Sequence, residues 1–178
     1  MHRLFVALRP PPALRSACLH AMEDGPPGWA WQDEEQLHLT LRYIGDVDRP
    51  VAEDVAAALG SIHAPAIDLA LAGVGWFDHG PRGALFARVA PVEPLAALHA
   101  KLDRALVRAG LTPEGRAFLP HITLARRRSS AVDPAGWLER NAALASSAER
   151  IASMILFESH LGRHGSSYAA IASYPLAG

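Results

Sequence analysis

Leu37-His38-Leu39-Thr40-Leu41-Arg42-Tyr43-Ile44 reads as a strand that closes on the turn signal Gly45-Asp46. Its head returns at His121-Ile122-Thr123-Leu124-Ala125-Arg126, a second strand with the same His-x-Thr order. The chain has nine His and only three Thr (Thr40, Thr112 and Thr123), and random placement of these gives about 0.15 such pairs, so two are not a product of chance.

Residues two apart in a strand point to the same face, about 6.6 Å apart. His38 and Thr40 are then neighbours, as are His121 and Thr123, while Leu39, Leu41, Ile122 and Leu124 supply packing on the other face. If the two strands lie side by side, two imidazoles and two hydroxyls converge. A neutral imidazole activates water, a protonated one donates to a leaving oxygen, and threonine hydroxyls hold phosphate oxygens. Imidazole supplies both forms near pH 7 without a large shift. A half-buried strand histidine beside a hydrogen-bonded neighbour is the ordinary reading of one such motif, but a matched pair is not explained that way.

Outward from these strands, the sequence alternates short strands with helices. Residues 2–8 read as a strand, and Pro10, Pro11 and Pro12 open a helix to about Met22. Gly25 to Gly28 form a turn. A helix is expected near 50–60, strands near 66–74 and 83–90, a short helix near 134–144, and closing strands at 151–161 and 167–174 around Gly162 and Gly165. The clearest helix runs from Pro94 to Ala109, with Leu95, Leu98, Leu102 and Leu106 at spacings of three and four and Gly110 as its C-cap. No linker divides the chain, so residues 1–178 are expected to form one α+β domain with helices packed on sheets.

Composition narrows the function classes. The chain is 50% hydrophobic and 20% charged, which excludes a disordered or collagenous protein, and Cys18 is alone, which excludes an internal disulfide framework. A net charge of −1 gives no basic field over the whole surface, so a nucleic acid would be gripped locally. No apolar run reaches the roughly 18 to 20 residues of a membrane span, and a cytoplasmic address is expected.

At the two tetrapeptides the chain resembles the RNA 2′,3′-cyclic phosphodiesterases, the 2′-5′ RNA ligase-like branch of the two-histidine phosphoesterase superfamily. Further landmarks carry the resemblance along nearly the whole chain: RLFVAL at 3–8, Trp31 through Leu41 to Ile44-Gly45-Asp46-Val47, LAGVGWF at 71–77, Phe118-Leu119-Pro120-His121, and Ser159-His160-Leu161 through Tyr168 to Tyr174-Pro175-Leu176. The resemblance implies a bilobal fold in which two pseudo-symmetric, intertwined lobes, each an antiparallel sheet with outer helices, place one motif each in a central cleft. It implies His38 as proton donor, His121 as proton acceptor, and Thr40 and Thr123 on the phosphate. The implied substrates are RNA 3′ ends or nucleotides bearing a 2′,3′-cyclic phosphate, opened to a 2′-phosphate without metal or nucleotide cofactor. Small cyclic nucleotides, 2′-5′ linked oligonucleotides and a non-catalytic RNA-end binding module are the competing readings. The sequence alone leaves open which histidine is the acid. A monomer with no obligate protein partner is expected.

Weaker signals stand beside these. Arg126 matches an arginine that often follows the second motif in the family, yet by strict alternation it points away from His121, so a bulge is required for it to touch substrate. Arg127 and Arg128 read as a solvated face, with attraction of an anionic RNA end as the alternative, and Trp29, Trp31 and Tyr43 as core, with stacking on a base as the alternative. Some relatives carry an aromatic residue at the position of Gln36. His160 and His164 have the spacing of metal ligands but no third partner, and Gly73-Val74-Gly75 reads as a strand bend. The remaining His2, His20, His63, His79 and His99 are left to surface or packing roles.

Overall fold

The computed structural model describes residues 1–129 and 132–177. The elements run β1 (His2–Leu8), α1 (Pro12–Glu23), β2 (Trp29–Trp31), β3 (Leu39–Val47), α2 (Arg49–Gly60), β4 (Ile67–Phe77), β5 (Ala84–Ala90), α3 (Glu93–Arg108), β6 (His121–Arg127), α4 (Ala135–Arg140), β7 (Glu149–Ile151), β8 (Ser153–Gly162) and β9 (Gly165–Pro175). The α+β expectation holds. Three of its details do not: α4 is shorter than residues 134–144, β2 and β7 are strands that no period announced, and β3 runs on through Gly45, whose φ of 92° suits only glycine, instead of turning there.

The strands form one curled antiparallel sheet in the order β7-β4-β5-β6-β3-β1-β8-β9, with β2 beside β6. That order is symmetric about its centre. The motif strands β3 and β6 are neighbours, and each is backed by three strands of its own half. The halves meet at a single residue pair, Leu39 opposite Ile122, which are the middle residues of the two motifs.

The helices cross between the halves. α1 follows β1, yet its first turn receives the Glu149 carboxylate of β7 at the Ala13 N–H (3.0 Å), and Ala21 accepts the indole N–H of Trp137 from α4 (3.0 Å). α3 follows β5, yet packs on α2 and β3. Its expected stripe of Leu95, Leu98, Leu102 and Leu106 is buried, and burial of each side chain contributes about 1.5 to 3 kcal/mol. Cys18 is buried in α1, where burial pushes its thiol up to about 12 and keeps it protonated.

Arg42 is a buried charged residue, 7% exposed. Its Nε–H donates to Asp103 of α3 (3.0 Å), and its other nitrogens to the carbonyls of Tyr43 and Thr112, so one guanidinium ties β3, α3 and the loop before β6 together. Arg42→Met leaves Asp103 without its counter-charge and Glu114 with Arg116 alone. The expected cost is about 3 kcal/mol, a fall in Tm of roughly 6 to 12 °C. A thermal melt unchanged from the parent would show that this cross-brace does not hold the fold.

Among the described residues, no helix is long and apolar enough to cross a membrane.

Candidate active site

The pairing of Leu39 with Ile122 decides the geometry of the site. In antiparallel register, His38 then lies across from Thr123 and Thr40 across from His121, so the four polar residues form a two-by-two array about the pseudo-two-fold. His38 is the residue just before β3, and His121 opens β6.

Both imidazoles are fixed in the same way. Nδ1 of His38 meets the carbonyl of Gln36 at 2.7 Å, and Nδ1 of His121 meets that of Leu119 at 2.6 Å. A carbonyl only accepts, so each Nδ1 carries the hydrogen and each Nε2 is left with the lone pair for chemistry. Gln36, where an aromatic residue stands in some relatives, also locks its own segment. Its side-chain oxygen accepts from Asp33 N–H, its backbone N–H donates to the Asp33 carboxylate, and its amide donates to the Ser166 carbonyl at 2.8 Å.

Aromatic rings cage each histidine. Phe5 and Tyr168 lie 5.0 and 5.1 Å from His38, and Phe77 and Phe86 lie 4.9 and 5.2 Å from His121. Phe5 and Phe86 come from β1 and β5, which hold equivalent places in the two halves. Desolvation by these rings disfavours the charged imidazolium. Burial, followed by the charges of Arg126, His121 and Arg9, pushes His38 down to about 4 against the raising effect of the Gln36 carbonyl. His121 is lowered for the same first reason, with Arg126 again contributing. Burial raises the Tyr168 phenol above its ordinary value.

A β-bulge follows the threonine in both motifs. Opposite β5, Thr123 pairs with Phe86 and Ala125 with Leu85, so Leu124 is the extra residue. Opposite β1, Thr40 pairs with Ala7 and Arg42 with Val6, so Leu41 is the extra residue. Each bulge carbonyl has a donor from outside its own half of the sheet: Gln32 N–H reaches Leu124 at 2.9 Å, and the His99 ring reaches Leu41 at 2.7 Å. The bulge reverses alternation beyond Thr123. Arg126 therefore sits on the face of His121 and Thr123, exposed and near enough for its charge to act on both histidines.

The same reversal corrects two sequence readings. Arg127 is not on a solvated face: its side chain is 6% exposed, its guanidinium lies 5.5 and 5.0 Å from the rings of Trp29 and Trp76, and Nη1–H donates to the Gly80 carbonyl. Tyr43 is not core, since it stands 45% exposed at the position in β3 that Arg126 holds in β6. Arg128 is exposed and Trp29 buried, as read from the sequence, and Trp31 is half-buried with its ring 5.7 Å from Trp137. The strand bend at Gly73-Val74-Gly75 is a bulge in β4 with Gly73 at φ 93°.

Sequence reasoning assigns no site role to Phe5, Phe77 or Phe86, because nothing local distinguishes a caging phenylalanine from a core one. The symmetric sheet order, which puts β1 and β5 in equivalent places, singles out Phe5 and Phe86. Among the described residues, no three His, Cys, Asp or Glu side chains are grouped so as to hold a metal ion. His160 faces Glu158, its Nε2 lying 3.8 Å from the carboxylate.

Comparison with known proteins gives a consistent set of relatives. The sequence model of the 2′-5′ RNA ligase superfamily matches residues 10–156. A protein of Aeropyrum pernix named RNA 2′,3′-cyclic phosphodiesterase is 33% identical over 105 residues, 58% of this chain and 60% of that protein. Proteins with the same name in Geobacillus stearothermophilus and Escherichia coli K12 are each 30% identical, over 153 residues (83% of this chain, 48% of that protein) and 132 residues (73% and 74%). The chain thus spans about three fifths of the first of these relatives and about half of the second. Among solved structures, E. coli LigT complexed with 3′-AMP superposes with a TM-score of 0.80 at 25% identity, covering 99% of each chain. A structure described as a phosphoesterase gives 0.82 at 25% identity and the same coverage, and TT0787 of Thermus thermophilus shares the fold at 0.81.

Proposed function

The chain belongs to the 2′-5′ RNA ligase superfamily, and from that membership we propose that it hydrolyses 2′,3′-cyclic phosphate at RNA 3′ ends to a 2′-phosphomonoester, with His38 and His121 as the acid and base. The observation that carries the proposal is the equivalence of the two imidazoles: each is held through Nδ1 by the carbonyl two residues before it, on motifs paired at Leu39 and Ile122.

In the proposed reaction, His121 Nε2 takes a proton from water as the water oxygen bonds to phosphorus. The bond from phosphorus to the ribose 3′ oxygen breaks, and the proton on His38 Nε2 moves to that oxygen. A 3′-hydroxyl and a 2′-phosphate leave, with the proton now on His121 instead of His38, and exchange with solvent resets the pair. The Thr40 and Thr123 hydroxyls donate to the non-bridging oxygens, and the exposed Arg126 guanidinium draws the anion in. No residue role in this scheme calls for a metal or nucleotide cofactor. Because one chain supplies both motifs, the monomer is sufficient, and residues 1–178 act as one unit.

The test is turnover of an oligonucleotide with a 2′,3′-cyclic phosphate end, with the product identified by phosphorus NMR. A 2′-phosphate is the expected product, and a 3′-phosphate or no turnover would refute the proposal. Thr40→Val and Thr123→Val each remove one charge-assisted hydrogen bond and keep both imidazoles. Each is expected to lower kcat/KM roughly 10- to 100-fold, from about 1.5 to 3 kcal/mol. Normal kinetics in both variants would mean that the hydroxyls do not face the phosphate.

A further inference from the structure

The reaction scheme gives no part to His99, a half-buried residue of α3 that stands beside Leu98 of the buried stripe. Two unlike contacts hold its ring. Nδ1 lies 2.7 Å from the Leu41 carbonyl, which only accepts, so the ring is the donor. One face of the imidazole lies flat on Phe118, with centroids 4.3 Å apart and an angle of 0° between the planes.

The first contact falls on the bulge of one motif. Leu41 is the extra residue that follows Thr40 and is 2% exposed, and a buried carbonyl at a bulge needs a donor. Holding it fixes the path of β3 beside the Thr40 hydroxyl. The second contact falls on the approach to the other motif. Residues 109–120 connect α3 to β6 as a loop, and Phe118 stands three residues ahead of His121. Its neighbour Leu119 gives the carbonyl that receives His121 Nδ1 at 2.6 Å. The Leu119 side chain is 59% exposed, so the stacked ring of Phe118 anchors that peptide.

Across the pseudo-two-fold the same two tasks fall to residues 32–36. Gln32 N–H holds the Leu124 carbonyl at the bulge after Thr123. Gln36, tied to Asp33 and Ser166, presents the carbonyl that receives His38 Nδ1. Each brace thus serves the threonine of one motif and the histidine of the other. On this side of the two-fold a single imidazole does both.

Resting on the function proposed above, we propose that His99 is a positioning residue that couples the two motifs. Its N–H sets Thr40 toward the phosphate, and its ring face, through Phe118 and Leu119, aims His121 Nε2 at the attacking water.

Two variants separate the contacts. In His99→Asn the amide nitrogen takes the place of Nδ1 and the ring is lost, and in His99→Phe the ring stays and the donor is lost. Circular dichroism and a melt establish that each is folded. At about pH 7.5, nitrogen-15 NMR of the His121 ring reads its tautomer without turnover. The parent and His99→Phe should carry the hydrogen on Nδ1, and His99→Asn should show a mixture of Nδ1–H and Nε2–H, because the Leu119 carbonyl is no longer held in place. On a nucleoside 2′,3′-cyclic phosphate, His99→Phe should lower kcat/KM roughly 10- to 100-fold, the effect of a displaced reacting group. The same change made in Thr40→Val should cost less than about threefold, since the hydroxyl it places is already gone. A His99 that only packs would lower Tm, leave the His121 tautomer alone in both variants, and give kinetic losses that multiply with that of Thr40→Val. Either the unmoved tautomer or the multiplied loss, in folded protein, overturns the coupling. A parent that hydrolyses no cyclic phosphate refutes the function proposed above instead, and the His121 tautomer then decides the positioning by itself.

Discussion

Replacing His38 or His121 by alanine is expected to lower kcat/KM by roughly 10²- to 10⁴-fold, because each change removes one half of the proposed acid and base pair. That is about 3 to 5.5 kcal/mol of barrier. The double variant should be little worse than either single one, since the groups act as a unit and neither is useful alone. Folding should survive. Each ring is half-buried, and its aromatic contacts are worth about 0.5 to 1.5 kcal/mol each beyond area burial. Circular dichroism and a melt of the variants separate lost chemistry from lost structure. A folded alanine variant with parental kcat/KM would eliminate the two-histidine mechanism.

The second large effect is on pH dependence. Both imidazoles are lowered from 6.5, His38 to about 4, so the empty site is mostly uncharged at pH 7. Hydrolysis needs one proton on the pair. A bell-shaped profile of kcat/KM with its maximum below pH 6.5 follows, falling about tenfold per pH unit on each limb well away from the maximum. A bound cyclic phosphate brings a negative charge beside the rings and favours imidazolium, so the kcat profile should lie at higher pH than that of kcat/KM. Arg126→Gln removes a cation that lowers both histidines and should move the kcat/KM bell upward. The profile should be unchanged by excess EDTA. Loss of activity on chelation, restored by a divalent metal, would contradict the two-imidazole scheme, and a kcat/KM maximum above about pH 7 would contradict the lowering of both imidazoles.

The same shift weakens the fold in acid. A histidine that is neutral in the folded chain and titrates at 6.5 when unfolded contributes stability above pH 6.5 that is lost as pH falls toward about 4.

Much of the site is legible in the order of residues alone. The matched His-x-Thr motifs stand out because threonine is so scarce here, and each motif carries its own apolar face through Leu39, Leu41, Ile122 and Leu124. α3 is equally plain, with four leucines on one stripe and Gly110 at φ 103° after its end. These are local properties, set by residues within a few positions of one another. β2 and β7 escape a sequence reading because three residues are too few to carry a period, and each exists only as a partner to a longer strand, β6 or β4.

Which way Arg126, Arg127 and Tyr43 point is not a local property. Sequence spacing alone puts Arg126 opposite His121 and gives no reason to bury Arg127. The bulges at Leu124 and Leu41 reverse both assignments, and they exist because β5 and β1 pair with one residue fewer while Gln32 and His99 receive the carbonyls left over. The sequence by itself determined which side chains are the candidates for the chemistry and that each pair shares a strand face. Only the tertiary structure decided that the pairs meet at Leu39 and Ile122, which charges and rings surround them, and what lies at each end of the cleft. The physical reason is that strand register and bulge position depend on hydrogen bonds between segments far apart in the chain, and no alternation within a single segment encodes them.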